Sequence, residues 1–215
     1  MPQSPKLNTT AYSLLGMISK RPWSAYELTE FMGRSIIRYI LPRTRSQLYN
    51  EPKKLAKLGL IEMEKSSVNN RDRTLYRITP AGRQALEEWL DLPSDNVKVE
   101  HKVLLKFYLV DPDDHRRLKL KAAEMRTHAI EQLQLMQQEI GRIVEQGVVL
   151  PTTAVAASMA SQFGVEEIKA RLNWLDNLDK WLEELPEESD REVWALEHYK
   201  KSQQQVKRLL KKYQS

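Results

Sequence analysis

The spacing of apolar positions changes along the chain, and the changes divide it into parts. Over residues 9–19, Ala11, Leu14, Leu15 and Ile18 recur at intervals of three and four, which predicts an amphipathic helix closed by Pro22. Ser24-Ala25-Tyr26-Glu27 has the form of a capping box, in which the serine hydroxyl accepts from the third amide while the glutamate reaches back. A second helix follows, with Ala25, Leu28 and Met32 inward, and stops near Gly33. Thr44-Arg45-Ser46-Gln47 opens a third helix in the same way. Leu48, Leu55 and Leu58 mark its inner face, and Gly59 supplies the left-handed residue that ends it. Pro52 conflicts with that helix, because an interior proline removes a donor and clashes with the preceding turn at about 3 kcal/mol. The expectation is a kink, or a helix split in two.

After Gly59 the period becomes two. Leu60 and Ile61 start a strand running to about Lys65, and Leu75, Tyr76 and Ile78 mark another. The polar run Ser66 to Arg73 reads as the hairpin loop between them. Thr79-Pro80 then opens a helix, with threonine as N-cap and proline at the first position, where no donor is needed. It carries Ala85, Leu86, Trp89 and Leu90 and ends at Pro93. Pro93-Ser94-Asp95-Asn96 reads as a linker, dividing a domain over 1–92 from one over 97–215.

Everything beyond reads as helical: 98–109, a long helix capped by Asp111-Pro112 and reaching Gly147, one or two helices within 152–184, and a last one from Ser189 or Asp190. Leu118, Ala122, Met125, Ala129, Leu133, Met136, Ile140 and Ile143 form a near-heptad seam. Leu196, Tyr199, Gln203, Val206, Leu210 and Tyr213 keep a strict one. The expected fold is mainly α: an N-terminal winged helix-turn-helix (three helices, a β-hairpin wing, a fourth helix) followed by an all-helical dimerisation domain. A heptad stripe also serves as core within one chain, so the residues offered for dimerisation are Leu118, Met125, Leu133, Met136, Ile140, Leu196, Tyr199, Val206 and Leu210.

Charge sharpens the reading of the first part. Residues 1–90 hold 15 Lys/Arg against 8 Asp/Glu, a net +7, so the remainder of a chain of net +5 is −2. A basic excess confined to the winged-helix segment is suited to a polyanion. A major groove admits one helix, which reads base edges with its first turns. The third helix presents Arg43, Arg45, Ser46, Gln47, Tyr49 and Asn50 there, followed by Lys53 and Lys54; the wing presents Asn69, Asn70, Arg71 and Arg73. These residue types contact bases and phosphates. The expected partner is double-stranded DNA. The alternative is a protein-interaction module that uses the same winged helix without binding DNA.

The segments LNTTAYSLLGMISKRPWSAYEL, RSQLYNEPKKLAKLGLIE and TLYRITPAGRQALEEWL resemble the PadR family of transcriptional regulators. EHKVLLKFYL and MASQFGVEEIKARLNWLDNL extend the likeness to the helical C-terminal domain of that family's longer branch. The resemblance implies a homodimer held through the C-terminal helices, usually acting as a repressor. It implies DNA contacts from Arg45, Ser46, Gln47, Tyr49, Asn70, Arg71 and Arg73. Many members place proline directly after the recognition-helix tyrosine; here Asn50 stands there and Pro52 comes two residues later. Two-fold pairing places two recognition helices about 34 Å apart, which implies a palindromic operator. A small aromatic inducer is a further expected partner, with Trp89, Phe107 and Trp174 as candidate lining against the plainer reading of core packing.

Other classes find no support. There is no cysteine, so disulfides, thiolate metal sites and cysteine nucleophiles are excluded. The four histidines stand apart from one another, and the 7 glycines form no phosphate-cradling loop, so no metal, cofactor or catalytic group is expected. No apolar run approaches the roughly 18 residues of a membrane span, and Met1 to Thr10 is polar, so a cytoplasmic protein is expected.

Overall fold

A computed structural model describes residues 7–68, 71–94 and 100–214. They form two compact units: Met1–Val99 together with Glu131–Ile168, and Glu100–Ile130 together with Lys169–Ser215. Part of the region expected as one domain over 97–215 thus belongs to the unit that contains the winged helix, and Asp95 and Asn96 of the expected linker lie outside the described residues.

In the first unit, α1 (Thr9–Ile18) starts at Asn8, whose side chain accepts from the Ala11 amide, and α2 (Ala25–Arg34) starts from the expected Ser24–Glu27 capping box. A four-residue helix, α3 (Ile37–Ile40), follows; it is too short to show a period and was not expected. The expected third helix is therefore α4 (Arg45–Lys57), opened by the Thr44–Gln47 capping box. It runs unbroken through Pro52, so the expected split does not occur. Tertiary burial outweighs the local cost: Pro52 is fully buried and its neighbour Glu51 is held by Asn8 Nδ2 and Lys54 Nζ, each at 3.0 Å. Leu58, expected inward, is half-exposed as the C-cap. Gly59 takes a φ of 70° and ends the helix with paired bonds, its own N–H to Ala56 and that of Leu60 to Leu55.

Strands β1 (Ile61–Val68) and β2 (Arg71–Ile78) pair antiparallel from Ile61↔Ile78 to Val68↔Arg71. The hairpin is longer than its apolar pattern: Ser66, Ser67, Asp72 and Arg73 belong to strands, where the sequence suggested a loop. Those arms are polar, so no apolar alternation could mark them. Trp23 extends the sheet by pairing with Tyr76 in both directions, 3.2 and 2.7 Å.

Helix α5 (Pro80–Asp91) begins at Thr79, whose hydroxyl donates to the Gly59 carbonyl and accepts from the Gly82 amide. Gly82 packs directly on the Leu60 backbone. The core joins Leu14, Leu15 and Ile18 of α1 with Leu28, Leu48, Leu55, Ile61, Ala85 and Leu150. Trp89 lies against it, stacked on Tyr12 at 4.7 Å and 7°.

The remaining elements are α6 (Lys102–Tyr108), α7 (His115–Gln146), α8 (Ala154–Glu183) and α9 (Arg191–Tyr213). Asp114, and not Asp111, caps α7, its carboxylate accepting from Arg117 N at 2.9 Å. α8 is one continuous helix. In the second unit, Leu118 and Ala122 pack with Leu175, Leu178 and Leu182, and Met125, Phe107 and Trp174 lie against that cluster. In the first, Met136 is buried beside Gly164 and Tyr39. Leu118, Met125 and Met136 of the expected dimer seam are thus packed within the chain, because a heptad stripe serves an intramolecular bundle equally well. Leu133 is half-buried, Ile140 is exposed, and Leu196, Tyr199, Val206 and Leu210 all stand exposed on α9.

A Cβ placed on Gly82 would lie 2.0 Å from the Leu60 carbonyl oxygen, which is backbone and has no free rotor to yield. Gly82→Ala is expected to cost about 2–4 kcal/mol, read as a lowered denaturation midpoint.

Candidate nucleic-acid interface

Helix α4 has two chemically distinct faces. Leu48, Glu51, Pro52 and Leu55 are buried, whereas Arg45, Ser46, Gln47, Tyr49, Asn50, Lys53, Lys54 and Lys57 are exposed. The sequence-derived contact residues of α4 are therefore brought onto one solvent face.

Within that face the side chains are already engaged. Gln47 accepts from the Thr44 amide at 3.0 Å, so it fixes the helix start. Arg45 pairs with Glu30 of α2. Asn50 Nδ2 donates weakly to Ser46 Oγ at 3.4 Å. Lys53 lies 5.5 Å over the Tyr49 ring, and Lys54 pairs with Glu51. Arg43 precedes the helix and donates to Thr10 Oγ1 at 2.7 Å, which ties the loop to α1.

A shallow pocket of about 280 Å³ lies on this face, lined by Tyr26, Thr29, Arg45, Ser46, Tyr49 and Asn50. Tyr26 is two-thirds exposed and lines this pocket, and it was not among the expected contact residues. Its place inside the Ser24 capping box marked it as a helix former, and no local signal showed that α2 would lie beside α4.

The wing residues divide differently. Asn69 and Asn70 lie outside the described residues. Arg71 pairs through its backbone with Val68, and its side chain is not described. Arg73 lies on β2, 3.7 Å from Glu27. Its guanidinium faces the start of α2, where Arg21 also approaches Glu27 at 3.8 Å. Arg21 itself covers the Trp23 ring at 3.4 Å.

A second concavity, of about 1410 Å³, lies in the same unit. Phe31, Arg34, Tyr39 and Arg43 form one side, and Leu135, Glu139, Ile140 and Arg142 of α7 with Ala157 and Val165 of α8 form the other. None of Trp89, Phe107 or Trp174 lines it. No sequence signal could have found this space, since its walls come from segments that meet only in the fold. Among the described residues no group of three or more His, Asp or Glu could hold a metal, and no helix is long and apolar enough to cross a membrane.

Residues 18–92 match the model of a winged helix DNA-binding domain. No curated protein matches the chain. Among solved structures, Bacillus subtilis PadR in complex with operator DNA is similar over 81% of this chain and 99% of its own, at 18% identity and a TM-score of 0.64. A PadR-like transcriptional regulator of Bacillus cereus is similar over 82% and 97%, at 15% identity and the same TM-score of 0.64. The Bacillus subtilis PadR complex with p-coumaric acid gives 82% and 99%, at 18% identity and a TM-score of 0.61. The chain therefore carries a winged helix DNA-binding domain within a mainly α architecture. Its fold is that of the PadR regulators, as the sequence motifs implied.

Burial pushes the Glu27 carboxyl up. The Ser24 amide and hydroxyl, with Arg21 and Arg73, outweigh that and hold it below its ordinary 4.5. A carboxylate depressed in the folded state stabilises above its unfolded value, and the gain is lost as pH falls through the folded one. Relative to Glu27→Gln, the native protein is expected to hold a constant stability advantage above about pH 5.5 that shrinks as pH drops below about 4.5. Unfolding curves across that range read it directly.

Proposed function

We propose that the chain is a PadR-family transcriptional regulator that binds a palindromic operator as a homodimer, represses, and is released by a small-molecule inducer. The observation that carries the reading is the exposed face of α4, where Arg45, Ser46, Tyr49, Asn50 and Lys53 stand on a helix whose opposite face is locked in the core. A helix so held presents its side chains to a major groove without rearranging. A hairpin anchored beside it suits phosphate or minor-groove contact. The operator complex of Bacillus subtilis PadR, which has the same fold, supports this assignment.

The dimer reading draws on α9. Val193, Leu196, Tyr199, Val206, Leu209, Leu210 and Tyr213 are all exposed on it, and an exposed apolar stripe of that length is unusual for a surface left to water. A second copy of the same helix is the occupant proposed. The inducer reading draws on the 1410 Å³ concavity, which mixes apolar walls with Arg34, Arg38 and Arg142, a lining suited to a small amphipathic anion. The p-coumaric acid complex of Bacillus subtilis PadR supports a ligand of that kind. Such a regulator works in the cytoplasm.

Selection of the protein against random duplexes at about 0.15 M salt is expected to enrich a palindrome with half-sites one helical turn apart. Arg45→Ala and Tyr49→Ala are each expected to weaken binding to that sequence by roughly 1–3 kcal/mol with the dimer intact. Salt-labile binding with no enriched motif would transfer the winged helix to a protein partner. In sedimentation, the native chain is expected to run as a dimer, and Leu196→Glu with Leu210→Glu as a monomer of unchanged helicity. A native monomer at micromolar concentration would remove the dimer reading.

A further inference from the structure

Glu30 of α2 is largely covered, its side chain only 18% exposed. Its two carboxylate oxygens have different partners. Oε2 takes Arg34 Nη2 at 2.7 Å, and Oε1 takes Arg45 Nη2. Arg45 is the first residue of α4, and Arg34 is the last residue of α2 and lines the large concavity. Beyond Arg34 the alternation continues. Glu139 of α7 is half-buried, feels the Arg34 charge, and accepts from Arg142. A row of alternating charge thus runs from the start of α4 into the wall of the concavity, all of it within one compact unit.

We propose that Glu30 is a positioning residue that shares one negative charge between the recognition helix, through Arg45, and the wall of the concavity, through Arg34. The inference rests on the reading of α4 as the helix that meets DNA. A single carboxylate cannot fully neutralise two guanidinium groups, so the two arginines compete for it. Whatever draws Arg34 away leaves Glu30 wholly to Arg45. A neutralised Arg45 is a poorer phosphate contact, so the direction is release from DNA. An anion seated against Arg34 acts in the same sense as removing its side chain. The concavity is therefore connected to the DNA-facing surface through charge, without a change of fold.

The test uses the full chain and a duplex of random sequence, with binding followed across salt concentration. Glu30→Gln frees Arg45 and is expected to steepen the salt dependence by about one unit of slope. Arg34→Ala is expected to weaken binding roughly threefold, and this effect is expected to vanish in the Glu30→Gln background. A merely structural role for Glu30 would leave the slope unmoved. An unchanged slope in Glu30→Gln overturns the proposal. So does an Arg34→Ala loss that persists in the double variant, which would mean that Arg34 touches DNA itself. Thermal unfolding provides a second readout that needs no DNA: Glu30→Gln is expected to be non-additive with both Arg34→Ala and Arg45→Ala, and strict additivity overturns the sharing of the carboxylate. A native chain that ignores the duplex yet shows the non-additivity would sink the DNA reading and leave the ion-pair row standing.

Discussion

The winged-helix unit depends on Trp23. Its indole is almost wholly buried and donates to the Met17 carbonyl at 2.9 Å, closing the end of α1. Its ring tilts against Phe31 of α2 at 5.1 Å, and its backbone pairs with Tyr76 of β2. One residue therefore joins two helices and the hairpin, with directional bonds to α1 and β2. A two-stranded ribbon is of marginal stability alone, and this residue adds to the attachment that Ile61 and Tyr76 make through the core. The approach of Arg73 to Glu27, and hence the arrangement of charge at the start of α2, follows from that anchorage.

The electrostatic character of the exposed face of α4 and the hairpin beside it is less generous than its composition suggests. Residues 1–90 carry a net +7, yet Arg45, Lys54 and Arg73 each have an acidic neighbour, and Arg43 is turned toward Thr10. Glutamates 27, 30 and 51 hold cations in place. Side chains restrained in this way lose less rotamer entropy on binding than free ones do. Restraint also ties each cation to its acidic neighbour, so the surface responds to changes made some way from it.

Most local signals in the winged-helix segment match local structure, although at α7 the cap falls on Asp114 and not on Asp111. The Ser24 and Thr44 boxes, the Thr79-Pro80 start and the Gly59 stop each depend on residues within a few positions of one another. Features that depend on distant residues were not legible. Pro52 looked like a break because its cost is local, whereas the burial that overrides it comes from α1 through Asn8 and Glu51. The stacking of Trp89 on Tyr12 and the meeting of Tyr39, Met136 and Gly164 involve residues far apart in sequence. The arms of the hairpin were not legible for the opposite reason, since Ser66, Ser67, Asp72 and Arg73 are polar and leave no apolar period. The residues that share the exposed face of α4 were legible as a group, but Glu30 was not, because nothing in the sequence of α2 shows what its carboxylate will touch.

The division of α4 into a locked face and a free one has a bearing on how such a protein diversifies. Positions 48, 51, 52 and 55 answer to the core and are constrained by it. Positions 46, 49, 50, 53 and 57 face solvent and lie outside both the cap and the core. A chemistry presented on that free face can therefore be changed at a handful of codons without rebuilding the unit beneath it, whereas the buried proline belongs to the frame.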